Sequence, residues 1–183
     1  MGSEPVPATL RQIPNALTIV RFAAVPAFAV ALLAAGNGAA WGAGLLFGGA
    51  ALTDQLDGWL ARRWRVESQF GRIADPLADR LMISVAAVLL WREGRLPWPA
   101  ALILLSRDLV LVLGYRLLAP RGVTVDVTRL GKAATWILYL GLSLVIVTDE
   151  GTRWPLWIFW VGVALALAAA GQYVARARRT IAR

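Results

Sequence analysis

The stretch Thr53–Arg80, TDQLDGWLARRWRVESQFGRIADPLADR, places four acidic side chains between two strongly apolar segments. Asp54 and Asp57 stand three residues apart, and Asp75 and Asp79 stand four apart. On helices each pair lies on one face, so two neighbouring helices can direct all four carboxylates to one place. Carboxylates at the edge of a bilayer cannot all stay ionised without cations, because desolvation and mutual repulsion oppose their charge. The stretch therefore predicts a metal site.

Apolar runs on both sides of this stretch indicate a membrane protein. Of the 183 residues, 58% are hydrophobic and the mean hydropathy is +0.62, whereas a soluble domain usually holds about 45–50% apolar residues. Most of the runs approach the roughly 20 residues that a helix needs to cross the hydrocarbon core. We expect an all-α fold, an integral membrane bundle of six transmembrane helices that forms one domain over residues 1–183. The six runs are 16–35, 40–60, 73–91, 97–118, 133–148 and 154–175.

The basic residues are distributed unequally between the two sides of such a bundle. If the N-terminus is cytoplasmic, thirteen of the nineteen Lys and Arg residues lie on the cytoplasmic side. They occur in or next to the polar N-terminal tail (1–12), the connections between helices 2 and 3 and between helices 4 and 5, and the basic C-terminal tail (176–183). The opposite side and the helix interiors hold three each: Arg92, Arg95 and Arg153, and Arg21, Arg80 and Arg107. By the positive-inside rule this predicts an N-in/C-in topology in the cell (inner) membrane, with the acidic stretch facing the cytoplasm. The net charge of +8 then reflects topology and attraction to anionic lipids. A nucleic-acid groove would need a basic run interleaved with aromatic residues, and the sequence contains none.

The absence of cysteine and histidine restricts the possible chemistry. Disulfides, thiolate or imidazole metal sites and a histidine base are excluded. Any bound metal must be a hard, oxygen-preferring cation such as Mg²⁺, Mn²⁺ or Ca²⁺. A general base must be a carboxylate, a lysine or a tyrosine.

Local signals predict where the first and third helices begin. The first helix is expected to start within the segment IPNALTIVRF, with Asn15 or Thr18 as its cap. Asp75 precedes a proline, which suits the start of the third helix with Asp75 at or near the cap. In the second helix, Gly44 and Gly48 form a GxxxG pair that permits close helix approach, either within the bundle or at a dimer interface.

Charged residues inside apolar runs are expected to have a partner or a function. Arg21 lies about two turns into the first helix, where it either snorkels to the interface or pairs with an acid of the central stretch. Arg107 and Asp108 lie near the middle of the fourth helix, where both a functional role and a paired structural role are open. Arg116 is nine residues beyond Arg107, about half a turn around the helix, so the two cannot line one pocket on a straight helix.

Small residues and an arginine accompany the four aspartates. Gly58, Ala61 and Gly71 leave room for a flat or bulky group against the helix backbone, and Arg62 can face phosphate oxygens. Two metals held by carboxylates with an arginine alongside make a site for a pyrophosphate group. One of the four aspartates is then the natural base for an attacking hydroxyl.

The pattern of these residues resembles the motif of the CDP-alcohol phosphatidyltransferase family. Asp54-x2-Asp57-Gly58-x2-Ala61-Arg62-x8-Gly71-x3-Asp75-x3-Asp79 matches all eight fixed positions of that motif, and the PNALTIVR start and six-helix plan are similar too. The resemblance implies a homodimeric membrane enzyme of phospholipid biosynthesis that transfers a phosphatidyl group from CDP-diacylglycerol to an alcohol and releases CMP. It implies that the four aspartates bind two divalent cations, Mg²⁺ or Mn²⁺, and that Asp79 is also the catalytic base. Asp57, Gly58, Ala61, Arg62 and Gly71 would form the CDP-binding pocket.

Two further segments bear on the acceptor alcohol. Ser106-Arg107-Asp108 and Gly131-Lys132-Ala-Ala-Thr135 are more similar to cardiolipin synthases than to phosphatidylglycerophosphate synthases, which more often carry Ala-Arg-Glu at the first place. We therefore expect phosphatidylglycerol as the acceptor, with glycerol 3-phosphate as the alternative. The candidates for binding the acceptor's phosphate are Arg107, Arg116 and Lys132.

A divalent-cation transporter is the alternative from a different class, because intramembrane aspartates also coordinate transported ions. A transporter needs acids near the midplane with a path to both faces. The four aspartates are instead predicted to lie towards one face, and the outer halves of the second and third helices hold no charge before Arg92. The pattern favours the enzyme.

Overall fold

A computed structural model of the protein describes the backbone of residues 8–36, 38–64, 69–118 and 128–181, and the side chains of residues 19–36, 38–53, 78, 80–110, 113 and 128–176. These residues form six α helices and no β strand, which confirms the all-α prediction, and each apolar run corresponds to one helix. The helices are α1 (Ala8–Ala35), α2 (Trp41–Trp64), α3 (Gln69–Arg92), α4 (Trp98–Leu118), α5 (Arg129–Val147) and α6 (Trp154–Ile181).

Two predicted helix starts are wrong. The first helix begins at Ala8, so neither Asn15 nor Thr18 caps it. The third begins at Gln69, so Asp75 lies inside the helix rather than at its cap. Each helix continues through a proline, Pro14 in α1 and Pro76 in α3. Proline removes one backbone hydrogen bond from the interior of a helix, and both helices continue through this loss.

The three short connections, residues 36–40, 93–97 and 148–153, meet at one end of the bundle, which we call the loop end. The amide of Ala40 donates to the carbonyl oxygen of Ile146 at 2.9 Å, joining the first connection to the last turn of α5. The second connection contacts both the first connection and the end of α5 through the side chain of Arg95, which is only 8% exposed. The other end therefore holds the first residues of α1, α3 and α5 and the last residues of α2, α4 and α6.

Arg95 caps the C-terminus of α5. Its Nη2 donates to the carbonyl oxygens of Val145 and Thr148 and, at 3.3 Å, to that of Ile146, and its Nη1 donates to Gly38 at 3.4 Å. The last carbonyls of a helix have no intrahelical partner and carry partial negative charge, so a guanidinium satisfies both needs. Burial lowers the pKa of Arg95, and the nearby carboxylate of Glu93 partly offsets this effect. Arg95 therefore holds the loop end together.

Aromatic side chains form the centre of the contact among α1, α2 and α5. The ring centroids of Phe28 and Phe47 lie 5.4 Å apart, and those of Phe47 and Tyr139 lie 5.0 Å apart. Phe28 and Phe47 are fully buried, and Tyr139 is 7% exposed. Ring pairs at these separations add to the stability that their burial already gives, so the three helices form one packed unit.

Glycines permit the closest helix approaches. A Cβ on Gly141 of α5 would lie 2.7 Å from the backbone of Phe159, and one on Gly162 of α6 would lie 2.9 Å from the amide nitrogen of Leu138. Neither position has space for any side chain, because the obstructing atoms belong to backbone. Gly44 packs directly against Val147 of α5, which confirms the within-bundle interpretation of this glycine.

Large apolar side chains also cover the outside of the bundle. Each of the six helices exposes at least two, for example Val30, Leu45, Leu109 and Trp157, and the last of these is 75% exposed. Of the described helices, α5 over Arg129–Val147 and α6 over Trp154–Arg176 are long and apolar enough to cross a membrane. Such a surface suits contact with lipid better than contact with water.

Candidate active site

The helix bounds place the two aspartate pairs at matching distances from the α2–α3 connection. Asp54 lies ten residues before the last residue of α2, and Asp79 lies ten residues after the first residue of α3. Asp57 and Asp75 lie seven and six residues from the same ends. At 1.5 Å per residue these spacings are about 15 Å and about 10 Å along the two helices. Both pairs therefore occur at similar depth, away from the loop end, whereas the carboxylates themselves lie outside the described side chains.

The remaining motif positions divide between the same two helices. Gly58, Ala61 and Arg62 lie in the last two turns of α2, and Gly71 lies in the first turn of α3. All four belong to the part of the chain whose side chains the structure does not describe. Their helical spacing is nevertheless fixed, so Ala61 and Arg62 lie about one turn beyond Asp57 and Gly58.

The first helix packs against both aspartate-bearing helices. Its Arg21 is only 4% exposed, so the guanidinium lies inside the bundle. This burial contradicts the snorkelling interpretation, in which the guanidinium would reach the interface. The alternative prediction is that Arg21 pairs with an acid of the central stretch, and the carboxylates of that stretch lie outside the described side chains.

Arg80, the residue that follows Asp79, forms an ion triad with Arg107 and Asp108 that joins α3 to α4. Arg80 Nη1 lies 3.0 Å from Asp108 Oδ1, and Arg107 Nη1 lies 3.2 Å from the same oxygen. The side chains of Asp108 and Arg107 are 9% and 10% exposed, and that of Arg80 is 32% exposed. We call these three residues the Arg80–Asp108–Arg107 triad. It confirms that Arg107 and Asp108 are paired.

Arg80 is the residue whose role the sequence did not reveal. Its position inside an apolar run was a signal that it needs a partner, and Asp108 is an acid inside another such run. Their separation of 28 positions along the chain gave no indication that the two face each other, because that depends on how α3 and α4 are rotated.

The three candidates for the acceptor's phosphate differ in their surroundings. Arg107 is buried within the triad. Lys132 is exposed in the first turn of α5, whose cap is the hydroxyl of Thr128, which accepts from the amide of Gly131 at 3.1 Å. Arg116 lies in the last turn of α4, and its side chain is not among those described. Of the three, Arg107 is the one whose guanidinium the described structure holds in a fixed position.

The chemistry of the four aspartates suits a hard divalent cation. They offer oxygen donors alone, which is the donor set that Mg²⁺ and Mn²⁺ prefer. No group of three or more acidic side chains comes together among the side chains that the structure describes, which do not include these four. The fit to a metal therefore rests on donor type and on the matching depth of the two pairs.

Comparison with known proteins identifies the family. The family model described as CDP-alcohol phosphatidyltransferase matches residues 11–168. The "CDP-diacylglycerol--glycerol-3-phosphate 3-phosphatidyltransferase" of Rickettsia felis is 34% identical over 143 residues, which are 78% of each chain. The "Putative cardiolipin synthase" of Mycobacterium bovis is 36% identical over 79% of this chain and 68% of its own. The "Probable phosphatidylglycerophosphate synthase" of Mycobacterium tuberculosis is 31% identical over 95% of this chain and 85% of its own. The chain therefore belongs to the CDP-alcohol phosphatidyltransferase family and is an enzyme that transfers phosphatidyl groups.

Proposed function

We propose that this enzyme transfers a phosphatidyl group from CDP-diacylglycerol to a hydroxyl of an acceptor that carries a glycerol phosphate group, and releases CMP. The acceptor oxygen forms a bond to the phosphorus that bears the diacylglycerol, and the bond from that phosphorus to the CMP oxygen breaks. The observation that carries this proposal is the occurrence of all eight motif positions on α2 and α3, with the aspartate pairs at similar depth.

In this proposal the motif residues have different roles. Asp79 takes the proton of the acceptor hydroxyl, which is the role that the resemblance to the family implies for it. The absence of histidine leaves the base to be a carboxylate, a lysine or a tyrosine. Arg62 binds phosphate oxygens of the donor. Gly58, Ala61 and Gly71 let the CDP group approach the helix backbones, and Asp57 contributes to the same pocket.

Two divalent cations, Mg²⁺ or Mn²⁺, would be held by Asp54, Asp57, Asp75 and Asp79. When bound, they neutralise the pyrophosphate and stabilise the negative charge of the departing CMP. The oxygen-only donor set supports this assignment, as does the absence of cysteine and histidine from the chain.

We further propose six transmembrane spans in the cell (inner) membrane, with both termini and the active site on the cytoplasmic side. The shortest helix has 19 residues and is about 29 Å long, close to the roughly 30 Å of the hydrocarbon core. The apolar outer surface of all six helices and the grouping of three short connections at the loop end support this arrangement. A homodimer follows from the resemblance to the family.

Phosphatidylglycerol is the acceptor that we propose first, which would make the enzyme a cardiolipin synthase. The Ser106-Arg107-Asp108 and Gly131–Thr135 segments support it. Glycerol 3-phosphate is the second candidate, because the Rickettsia felis relative and the Mycobacterium tuberculosis relative that aligns with 95% of this chain are named for that reaction.

The lipid product distinguishes the two acceptors. Purified protein in detergent is supplied with CDP-diacylglycerol, Mg²⁺ and either phosphatidylglycerol or glycerol 3-phosphate, and the lipids are separated by mass. We expect cardiolipin from the first mixture and little product from the second. Phosphatidylglycerophosphate from the second mixture, without cardiolipin from the first, would reverse the order of the two candidates.

A further inference from the structure

The Arg80–Asp108–Arg107 triad carries a net positive charge inside the bundle. Guanidinium groups stay protonated in proteins, so two of them against one carboxylate leave one positive charge unbalanced among the side chains that the structure describes. Both Nη1 atoms contact the same oxygen of Asp108, and they therefore lie within about 6 Å of each other, where like charges in a medium of low dielectric constant repel strongly. The carboxylate between them is what allows the two cations to be held together.

The hydrogen-bonding capacity of the triad is also incompletely used. Arg107 Nε is buried and has no hydrogen-bond partner among the described residues. Asp108 Oδ2 makes no hydrogen bond of ordinary length within the described part either, although the Ser84 hydroxyl lies beside the same carboxylate. Arg–carboxylate pairs are frequently bidentate, with both carboxylate oxygens engaged, whereas both guanidiniums here contact Oδ1. The triad instead retains donors and charge for an anionic group.

The three members differ in accessibility in a way that suits binding. Arg107 and Asp108 are about nine-tenths buried, whereas Arg80 is 32% exposed. Arg80 also directly follows Asp79 in the chain. The accessible cation of the triad thus lies at the same depth along α3 as the proposed catalytic base, about 100° away around the helix.

We propose that Asp108 is a positioning residue, which holds the guanidiniums of Arg80 and Arg107 together so that their surplus charge binds the phosphate of the acceptor. This inference rests on the proposed function and adds Arg80 to the residues that serve the acceptor. The ligand chemistry is a glycerol phosphate group, which glycerol 3-phosphate and phosphatidylglycerol both carry.

The test compares the kinetic constants of Asp108→Asn with those of wild type for each substrate. Asn keeps the shape of the side chain but loses the charge that attracts both guanidiniums. Misplaced guanidiniums bind the phosphate more weakly, so we expect KM for the acceptor to rise by about 10- to 100-fold. KM for CDP-diacylglycerol should stay within about twofold. Asp108→Glu, which restores the carboxylate, should recover part of the affinity for the acceptor.

A second variant and a matched control keep the result interpretable. Arg80→Gln removes the most exposed member and should raise KM for the acceptor in the same way, even if Asp108→Asn does not fold. Arg95→Lys perturbs another buried arginine, at the loop end, and should leave KM for the acceptor unchanged. Equal changes in both KM values, or a loss of thermal stability with both KM values unchanged, would overturn the positioning role.

A binding measurement separates this inference from the proposed function. Glycerol 3-phosphate, and in a second arm phosphatidylglycerol, is added to wild type and to Asp108→Asn without CDP-diacylglycerol. A ligand that binds the native state raises the unfolding temperature, so we expect a rise for wild type that is smaller or absent for the variant. The same rise in both proteins contradicts the inference even if the enzyme is active. A rise confined to wild type supports it even if no CMP is released.

Discussion

Asp79→Asn lowers the rate of CMP release by about 100- to 10,000-fold, the range that a positioned general base contributes. The amide cannot accept the proton of the acceptor hydroxyl, and it is a weaker ligand for a hard cation. We expect the protein to fold normally, because Asn has nearly the same shape as Asp. The measurement is CMP released from CDP-diacylglycerol by purified protein in detergent, in the presence of acceptor and Mg²⁺.

The control for this variant is Glu150→Gln, which makes the same change from carboxylate to amide at an exposed position of the loop end. It should keep the wild-type rate. An Asp79→Asn enzyme that retains a tenth or more of wild-type activity would show that another group accepts the proton. The remaining candidates would then be the other three aspartates of the motif.

Arg95→Gln destabilises the protein by about 2–4 kcal/mol, because a buried carbonyl oxygen left without a donor costs about 1–3 kcal/mol and the shorter amide should leave one or two of them without one. Four carbonyl oxygens accept from this one side chain, and three of them lie at the C-terminal end of α5. The loss should appear as a lower midpoint of thermal unfolding in detergent. Arg95→Lys should give a smaller loss, since an ammonium keeps the charge but cannot span the same acceptors.

Arg153→Gln is the matched control, because it removes an exposed arginine from the same end of the bundle. Its unfolding midpoint should equal that of wild type. If Arg95→Gln and Arg153→Gln unfold at the same temperature, the carbonyls of α5 find other partners when Arg95 is lost, and its capping role is wrong.

The sequence predicted the number and the approximate extent of the helices because long apolar runs are an unambiguous signal. It failed at two helix starts, where Asn15 or Thr18 and, before Pro76, Asp75 were predicted to lie at the caps. The preference of proline for the first turn of a helix is a local tendency, and both helices continue through their prolines. The helices α1 and α3 therefore begin six or more residues earlier than their prolines.

For the candidate site, the sequence predicted what depends on spacing within one helix and missed what depends on packing between helices. The two aspartate pairs could be placed at similar depth because the connection between α2 and α3 is short. The partner of Arg80 could not be found, since it depends on the rotation of α3 against α4. Arg95 was interpreted as an outer basic residue, although its charge caps α5, because no local pattern shows which loop folds over which helix end.

The most direct test of the account is CMP release by wild-type protein with CDP-diacylglycerol and each glycerol phosphate acceptor, before and after removal of divalent cations with EDTA. We expect acceptor-dependent release that EDTA abolishes and that Mg²⁺ or Mn²⁺ restores. The same protein in liposomes should take up no divalent cation. Cation uptake without CMP release from any acceptor would contradict the enzyme assignment of the four aspartates and would favour a transporter.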